Sequence, residues 1–284
     1  MGTFEQIAVI TQYFREFLLA RGYFIDEMLV AEPTLCTPVT GHKGGVGLTF
    51  EIDGVAAHSS KPHLGKNALV AAADLILRMY AEHEVLQTSR GGPLGAPTLT
   101  PTLSSGGHGP NIVPQDSSVY IDYRITTASP TDGSVSEDCQ TVMDRLIEIA
   151  HEVLDDSEHC TGFSVTNSND DGLAGNPSFF QDPEAPWVQQ LAEWSGVEPE
   201  VVTFGTNATA YSAPSGQGMP ARVEEAATVT AEPAAAGGRA GVYGACVVMG
   251  PGDISQAHMA DEWIEIDQLN KMKGILMKWF QLEA

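Results

Sequence analysis

The sequence predicts an α/β protein in which a small β-α-β-β-α-β domain is inserted into a larger α/β layer. Three observations support this prediction. Between Gly44 and Asn167, segments with strand alternation and segments with helical spacing follow one another in the order of a ferredoxin-like domain. Strands also alternate with helices before and after this stretch, which favours one common layer for the flanking parts. The 284 residues, 43% of them hydrophobic, are enough for two packed units.

The first predicted elements along the chain are a helix and a strand. Apolar residues spaced three and four apart between Phe4 and Arg21 form the stripe of an amphipathic helix, which Gly22 ends. A short apolar strand then runs from Glu27 to Ala31 and stops before Pro33, because proline removes a ladder donor and fixes its own φ. Glu32 is therefore expected at the C-terminal end of a strand.

The small domain follows, with two helices that are expected to cover one face of its sheet. Its strands are predicted at Val46–Ile52, Pro97–Leu103, Ser118–Ile125 and Gly162–Asn167, and its helices at Asn67–Tyr80 and Ser136–Leu154. The segment Gly44–Ile52 is apolar and rich in β-branched residues. We expect it at an edge of the sheet, where it would pair with the same element of a second copy around a two-fold axis.

The chain then returns to the larger layer. Its remaining elements are predicted as a helix near Trp187–Trp194, strands near Val201–Phe204 and Val242–Met249, and a closing helix at Ile266–Phe280. The stretch Ser212–Arg239 is rich in Ala, Gly, Pro and Glu and has no clear period. These elements predict that residues 1–43 and 169–284 form the larger domain and residues 44–168 the inserted one.

Composition excludes some classes of function. The 37 acidic residues against 14 basic ones give a formal net charge of -23, which repels nucleic acid and anionic lipid. Charged residues interrupt the apolar stretch from Met1 to Leu19, and no segment reaches membrane-spanning length, so no membrane association is expected. The four cysteines lie far apart without a CxxC pair, which indicates neither a zinc knuckle nor a disulfide scaffold and favours a cytoplasmic location.

Several polar residues stand at strand ends or in loops, where α/β proteins place their chemistry. Glu32 could supply a hard oxygen ligand to zinc, and His58 and His258 lie in loops built from small and turn-forming residues. Asn111 and the pair Gly205–Thr206 could bind a substrate carboxylate. Each feature also occurs in ordinary exposed turns, so the residues alone leave both interpretations open. No GxSxG, GxxxxGK[ST] or HExxH motif is present to indicate another chemistry.

Together, the order and content of these segments resemble the family of acetylornithine deacetylases and succinyl-diaminopimelate desuccinylases, within the dinuclear zinc aminoacylases and carboxypeptidases. The resemblance implies a zinc-peptidase-like catalytic domain with an inserted ferredoxin-like lid that forms a homodimer. The matching segments are Val30–Thr34, His42–Gly44, Gly54–Asn67, Asn111–Pro114, Tyr120–Ile125, Gly205–Thr206, Gly250–His258 and Asp261–Ile264.

The resemblance also implies roles for individual residues. Glu32 would be a carboxylate ligand of one metal ion and His258 a histidine ligand of the other, with two zinc ions in a complete site and cobalt as the alternative. His58 would be the lid histidine that reaches the substrate carbonyl across the dimer. The substrate itself would contact Asn111, Arg124, Gly205 and Thr206.

The resemblance is incomplete at the metal site. The family's HxD ligand motif, its bridging aspartate and its paired glutamates precede the position that matches Glu32, and this chain begins too late to contain the first two. Asn207 also stands where many relatives have an aspartate. The implied function is hydrolysis of amide bonds in N-acyl amino acids, impaired in this chain. The alternative is a non-catalytic dimerisation or binding module descended from such an enzyme.

Overall fold

The computed structural model describes residues 25–88, 92–126, 137–168, 175–209, 243–257 and 259–281, with a few positions between 13 and 23. It divides into two compact units, which we call the flanking unit (Met1–Lys43 with Ser178–Ala284) and the inserted unit (Gly44–Pro177). Most of the predicted helix at 4–21 and the whole of the segment 212–239 lie outside the described residues. The predicted mixed α/β class is confirmed.

Helices and strands are numbered here in chain order. They are β1 (Ile25–Val30), β2 (Val39–His42), β3 (Val46–Asp53), β4 (Ala57–His58), α1 (Ala68–Gln87), β5 (Thr98–Gly106), β6 (Ile112–Val113), β7 (Asp116–Arg124), α2 (Cys139–Leu154), β8 (Gly162–Asn167), β9 (Phe179–Phe180), α3 (Pro186–Ser195), β10 (Glu200–Val202), β11 (Tyr243–Val248) and α4 (Ile266–Trp279).

The flanking unit is built on a mixed sheet with the strand order β1-β11-β2-β10, and β9 also pairs with β2. Strands β1 and β11 are parallel and in register up to Val30 and Val248. Their C-terminal ends therefore meet at one edge of the sheet, where α/β proteins gather functional groups. Strand β2 has no counterpart among the predicted elements, because its four residues include a glycine and a histidine and carry little strand signal.

Helices α3 and α4 contribute to an apolar core of the flanking unit. Pro186 opens α3 and Gly196 closes it with a φ of +69°, a conformation that suits glycine. The ring of Trp187 lies 5.9 Å from Trp194 and 4.8 Å from Trp279, measured between centroids. Around this aromatic group pack Cys36, Val188, Leu191, Val247, Met249, Met272 and Ile275.

The inserted unit contains a four-stranded antiparallel sheet in the order β5-β7-β3-β8. Helices α1 and α2 share one core with its buried face. The predicted edge position of Gly44–Ile52 is wrong, because β3 is hydrogen bonded to β7 on one side and to β8 on the other. Val46, Leu48, Phe50 and Ile52 are all buried. The apolar content that suggested a pairing edge is instead that of a central strand.

Helix α1 continues to Gln87, beyond the predicted end at Tyr80. Its last two turns are polar but well suited to a helix, and Glu82 accepts ion pairs from Arg78 at 2.8 Å and from Arg145 of α2 at 3.3 Å. The first pair lies within α1, and the second joins α1 to α2.

The two ends of the inserted unit lie side by side. Gly45 and Asn176 exchange backbone hydrogen bonds of 2.8 Å in both directions, and a side chain at Gly175 would clash with the Gly45 carbonyl oxygen. The chain therefore enters and leaves this unit through one antiparallel bridge.

Candidate functional site

The turn after β1 holds Glu32 at the edge of the flanking sheet. The amide of Thr37 donates to the carbonyl of Thr34 at 2.9 Å, which closes a tight turn around Leu35 and Cys36. Both central residues have a φ of +57°, a left-handed conformation that costs about 1 kcal/mol or more for a residue other than glycine. Such a turn persists only when its surroundings fix it.

The loop after β11 supplies that support. The carbonyl of Gly250 accepts from the amides of Cys36 at 2.8 Å and Thr34 at 3.2 Å, and the amide of Gly250 donates to Thr34 Oγ1 at 3.2 Å. A Cβ atom at Gly250 would lie 2.5 Å from the carbonyl oxygen of Glu32. Only glycine therefore permits this approach of the two loops, which together form one hydrogen-bonded edge.

His258 lies outside the described residues, so its position relative to Glu32 stays a prediction. The segment that leads towards it begins at Asp253, whose side chain accepts from the amide of Ser255 at 2.9 Å and caps a short 3-10 turn, Ile254–Gln256. This turn follows the Gly250 loop on the same edge as Glu32.

The described residues do not by themselves make a zinc site. Within the described ranges, no group of three or more His, Cys, Asp or Glu side chains stands close enough to hold a metal ion. Catalytic zinc usually takes three protein ligands and a water. Glu32, which is half-buried, could be only one ligand among several, and no reaction step is assigned to a metal here.

In the inserted unit, His58 and Asn111 are brought together by the two-stranded ladder of β4 and β6. His58 pairs with Ile112, and the amide of Ser59 donates to the carbonyl of Asn111 at 2.9 Å. The amide of Ser60 donates to His58 Nδ1 at 3.2 Å. In the neutral ring, the proton is therefore on Nε2, and the exposed side chain of His58 can donate a hydrogen bond from that atom.

The segment around His58 is fixed by close backbone packing. Val55 and Lys66 exchange backbone hydrogen bonds of 2.8 and 2.9 Å. A Cβ atom at Gly54 would clash with the carbonyl oxygen of Lys66, and one at Gly65 would lie 2.7 Å from that of Val55. The small residues that the sequence shows around His58 thus allow two backbone segments to approach each other.

Thr206 lies in the interior of the flanking unit and contacts His42, a residue to which the sequence assigned no role. The amide of Thr206 donates to His42 Nε2 at 3.1 Å, and its hydroxyl lies 3.0 Å from the same nitrogen. Gly205, by contrast, is exposed. His42 belongs to His42–Gly44, one of the segments that resemble the family, but nothing in the sequence around it indicates that it is buried against a distant loop.

Arg124 is separated from the pair His58 and Asn111 within one copy of the chain. It stands at the last position of β7, whereas β6 precedes the first. A strand of nine residues spans roughly 26 Å at about 3.3 Å per residue. The guanidinium Nε of Arg124 donates to Asp122 at 2.9 Å in an exposed ion pair.

The four cysteines form no disulfide. Burial raises the pKa of Cys246 to about 12, and burial together with the nearby Asp138 carboxylate raises the pKa of Cys139 to about 12. Burial also raises the pKa of Cys36. These three thiols stay protonated near neutral pH and are poor nucleophiles.

Among the described helices, none combines the length and the apolar character that crossing a membrane requires.

Comparison with known proteins identifies relatives. Residues 40–154 match the family model of the M20 peptidase dimerisation domain. The acetylornithine deacetylase of Myxococcus xanthus is 26% identical over 255 residues, which cover 88% of this chain and 56% of that protein. The succinyl-diaminopimelate desuccinylase of Thiobacillus denitrificans is 28% identical over 201 residues, which cover 67% of this chain and 45% of the relative.

Among solved structures, an aminopeptidase from Bacillus cereus has a similar fold, with a TM-score of 0.56 at 14% identity. The likeness covers 89% of this chain and 55% of that structure. The chain therefore spans about half the length of the proteins that it matches. These findings confirm the predicted resemblance.

Proposed function

We propose that this chain, a relative of the acetylornithine deacetylases and succinyl-diaminopimelate desuccinylases that contains an M20 peptidase dimerisation domain, takes part in hydrolysing the amide bond of N-acyl amino acids. The observation that carries the proposal is the arrangement of His58 and Asn111. Both are exposed, His58 ends β4 while Asn111 directly precedes its partner strand β6, and the ring of His58 is oriented by Ser60 through Nδ1.

His58 is proposed to stabilise the oxyanion that forms when the amide carbonyl is attacked. Its Nε2–H is a fixed donor, because the Nδ1 atom is already held as an acceptor. Such a preoriented donor stabilises developing negative charge without reorganising in the transition state, and removing one commonly lowers kcat by about 100- to 1000-fold. Asn111 is proposed to contact the same substrate, and its carbonyl already fixes the His58 strand through Ser59.

Glu32 is proposed as a carboxylate ligand of one zinc ion and His258 as a histidine ligand of the other, with cobalt as the alternative metal. Support for Glu32 comes from the hydrogen-bonded edge that it shares with the Gly250 loop. The described residues do not complete such a site, so the proposal requires further ligands in addition to these two.

The inserted unit is proposed to form a homodimer through β5 and α1. Among the described strands, β5 lies at an edge of the sheet, and its Leu103 is 68% exposed. On the adjacent helix α1, Leu77 is 68% exposed and Tyr80 is 56% exposed. An unpaired edge strand beside exposed apolar side chains favours association with a second copy. The match of residues 40–154 to a dimerisation domain supports self-association of this unit.

A cytoplasmic location is also proposed, since four free cysteines suit a reducing compartment.

A second candidate is a non-catalytic dimerisation module. The observation that favours it is that the matching family model, at residues 40–154, is that of a dimerisation domain. In that case His58 would be an exposed residue without a reaction to serve.

Zinc titration and amide hydrolysis separate the two candidates. Zinc binding is measured by calorimetry for the wild type and Glu32→Gln, and hydrolysis of N-acetyl-L-ornithine and N-succinyl-L,L-diaminopimelate is followed with added zinc or cobalt. If the chain is an enzyme, we expect it to bind zinc with submicromolar affinity, and Glu32→Gln should weaken that binding. We also expect turnover, which His58→Ala should lower by about 100- to 1000-fold. The matched control is His63→Ala, which removes an exposed histidine from the same segment. If the wild type shows neither zinc binding nor turnover, the result favours the non-catalytic module.

A further inference from the structure

The hydroxyl of Thr206 is used inside the protein and is not presented to solvent. Thr206 is only 3% exposed. Its Oγ1 accepts from the amide of Ala208 at 3.2 Å and lies 3.0 Å from His42 Nε2, to which it can donate. The amide of Thr206 donates to that same nitrogen at 3.1 Å. Every polar group on the side chain and the amide of Thr206 is thus committed to holding the loop.

His42 has one defined protonation state in this arrangement. Its Nδ1 lies 3.0 Å from the carbonyl oxygen of Lys43, which can only accept, so Nδ1 carries the proton. Nε2 is then a pure acceptor, as the Thr206 amide requires. The ring is 1% exposed and lies 5.5 Å from the ring of Phe179, between centroids. Such burial disfavours the charged imidazolium.

Gly205 is the residue that the loop exposes. It precedes Thr206, and no atom of the residues that the structure describes lies within 4 Å of the position that a Cβ atom would occupy there. A ligand can therefore approach its peptide group closely. Because the Thr206 amide is fixed on His42, the peptide group that joins Gly205 to Thr206 is held in one orientation. Its N–H is already used, so the group that it can offer a ligand is the Gly205 carbonyl oxygen, an acceptor.

We propose that His42 is a positioning residue, which fixes Thr206 so that the loop presents the carbonyl of Gly205, and not the Thr206 hydroxyl, to a hydrogen-bond donor of a ligand. The significance of this loop for a substrate rests on the proposed function. The positioning itself depends only on His42, Thr206 and Lys43.

Two substitutions of His42 distinguish the hydrogen bond made by Nε2 from the one made by Nδ1. A glutamine side chain places an acceptor oxygen near the position of Nε2, so His42→Gln can keep the bond to the Thr206 amide. An asparagine side chain reaches only the position of Nδ1, so His42→Asn can keep the bond to Lys43 but not the one to Thr206. Amide hydrogen exchange at Thr206 and at Val247, an amide of the core strand β11, is measured by NMR in both variants and in the wild type.

The expected result is that exchange at Thr206 is at least 10-fold faster in His42→Asn than in the wild type, stays within about 3-fold in His42→Gln, and is unchanged at Val247 in both. Equal rates at Thr206 in all three proteins would overturn the proposal. So would an equal acceleration at Thr206 and Val247, because His42 would then support only the fold as a whole.

Nitrogen chemical shifts of His42 give a second test that needs no variant. The proposal requires the Nδ1–H form in the folded wild type, and an Nε2–H form or a fast mixture of the two would contradict it. Both measurements use the chain without metal or substrate. A failure to bind N-acetyl-L-ornithine would therefore contradict the proposed function and leave the positioning role of His42 unaffected.

Discussion

His58 in the inserted unit and His42 in the flanking unit hold their protons on opposite ring nitrogens. A backbone amide donates to Nδ1 of His58 and to Nε2 of His42. The proton is therefore on the exposed Nε2 of His58. In His42 it is on the buried Nδ1, which donates to the carbonyl of Lys43. One ring is arranged to donate outwards, and the other is arranged to hold a loop.

The difference shows that the environment, more than the residue type, decides what a histidine can do. His58 is the exposed last residue of a strand of two residues, whereas His42 ends a strand that is buried at all four positions. Exposure leaves a ring nitrogen available to a ligand, and burial commits both nitrogens to the protein. The two rings should therefore respond differently to the same substitution.

The largest expected difference is in stability. His42→Ala leaves the Thr206 amide and the Lys43 carbonyl without their buried partner, and we expect it to lower the free energy of unfolding by about 2–4 kcal/mol. His58→Ala removes an exposed ring and should change it by less than about 0.5 kcal/mol. Urea unfolding is followed by tryptophan fluorescence for His42→Ala, because Trp187 lies in the same unit, and by far-ultraviolet circular dichroism for both variants, because it also reports on the inserted unit. Similar losses in the two variants would break the comparison.

The next largest loss of stability is expected from replacing glycines at the two sites by alanine. In the flanking unit, Gly250→Ala brings a methyl group against the Glu32 carbonyl, and in the inserted unit Gly54→Ala brings one against the Lys66 carbonyl. Both clashes are with backbone, so each substitution should destabilise by about 1–3 kcal/mol.

The matched control for these glycines is Gly274→Ala in helix α4. No atom lies within 4 Å of a Cβ placed there, and alanine favours a helix over glycine by about 1 kcal/mol. Thermal melts should therefore show a lower midpoint for the two site glycines and an unchanged or higher one for the control. A loss of the same size in all three would mean that the close approaches at the sites carry no special cost.

The pH dependence of stability sharpens the comparison further. Burial holds the pKa of His42 below its ordinary value of 6.5. Below that pH the unfolded chain binds a proton that the folded chain does not, so stability is lost as the pH falls. Unfolding free energies measured between about pH 7.5 and 5.5 should decrease more in the wild type than in His42→Gln, which has no group to protonate there. An equal decrease in both proteins would show that His42 does not contribute.

The smallest effect is expected at Arg124. Its ion pair with Asp122 is exposed, so Arg124→Ala should change the unfolding free energy by no more than about 1 kcal/mol. A double-mutant cycle with Asp122→Ala isolates the pair, and moderate salt should reduce the coupling. A coupling well above that value would mean that Arg124 has a structural role comparable to that of His42.

Much of the fold could be predicted from periodicity, because local pattern is a strong signal for long elements. The strand Gly162–Asn167 and the start of helix α4 at Ile266 agree with the prediction to the residue. Short elements such as β2 and β9 were missed, since four or two residues carry too little pattern. The position of β3 was mistaken because an apolar strand can be central or unpaired, and only its neighbours decide.

The candidate site divides in the same way. Glu32 could be placed at a strand end because Pro33 marks that end in the sequence itself. The contact between His42 and Thr206 could not be predicted, since 164 positions separate the two residues and their pairing depends on strands β2 and β10 lying side by side. The place of His258 in the site stays a prediction.

The antiparallel bridge between Gly45 and Asn176 has a consequence for how such proteins can be rearranged. Because both ends of the inserted unit emerge next to each other, the stretch between them can be regarded as a cassette. Removing it and joining Lys43 to Ser178 through a short glycine-rich linker would keep the flanking chain continuous over a small gap. The same adjacency makes this unit suitable for transplantation into a loop of an unrelated host, where it would arrive with both of its ends already paired.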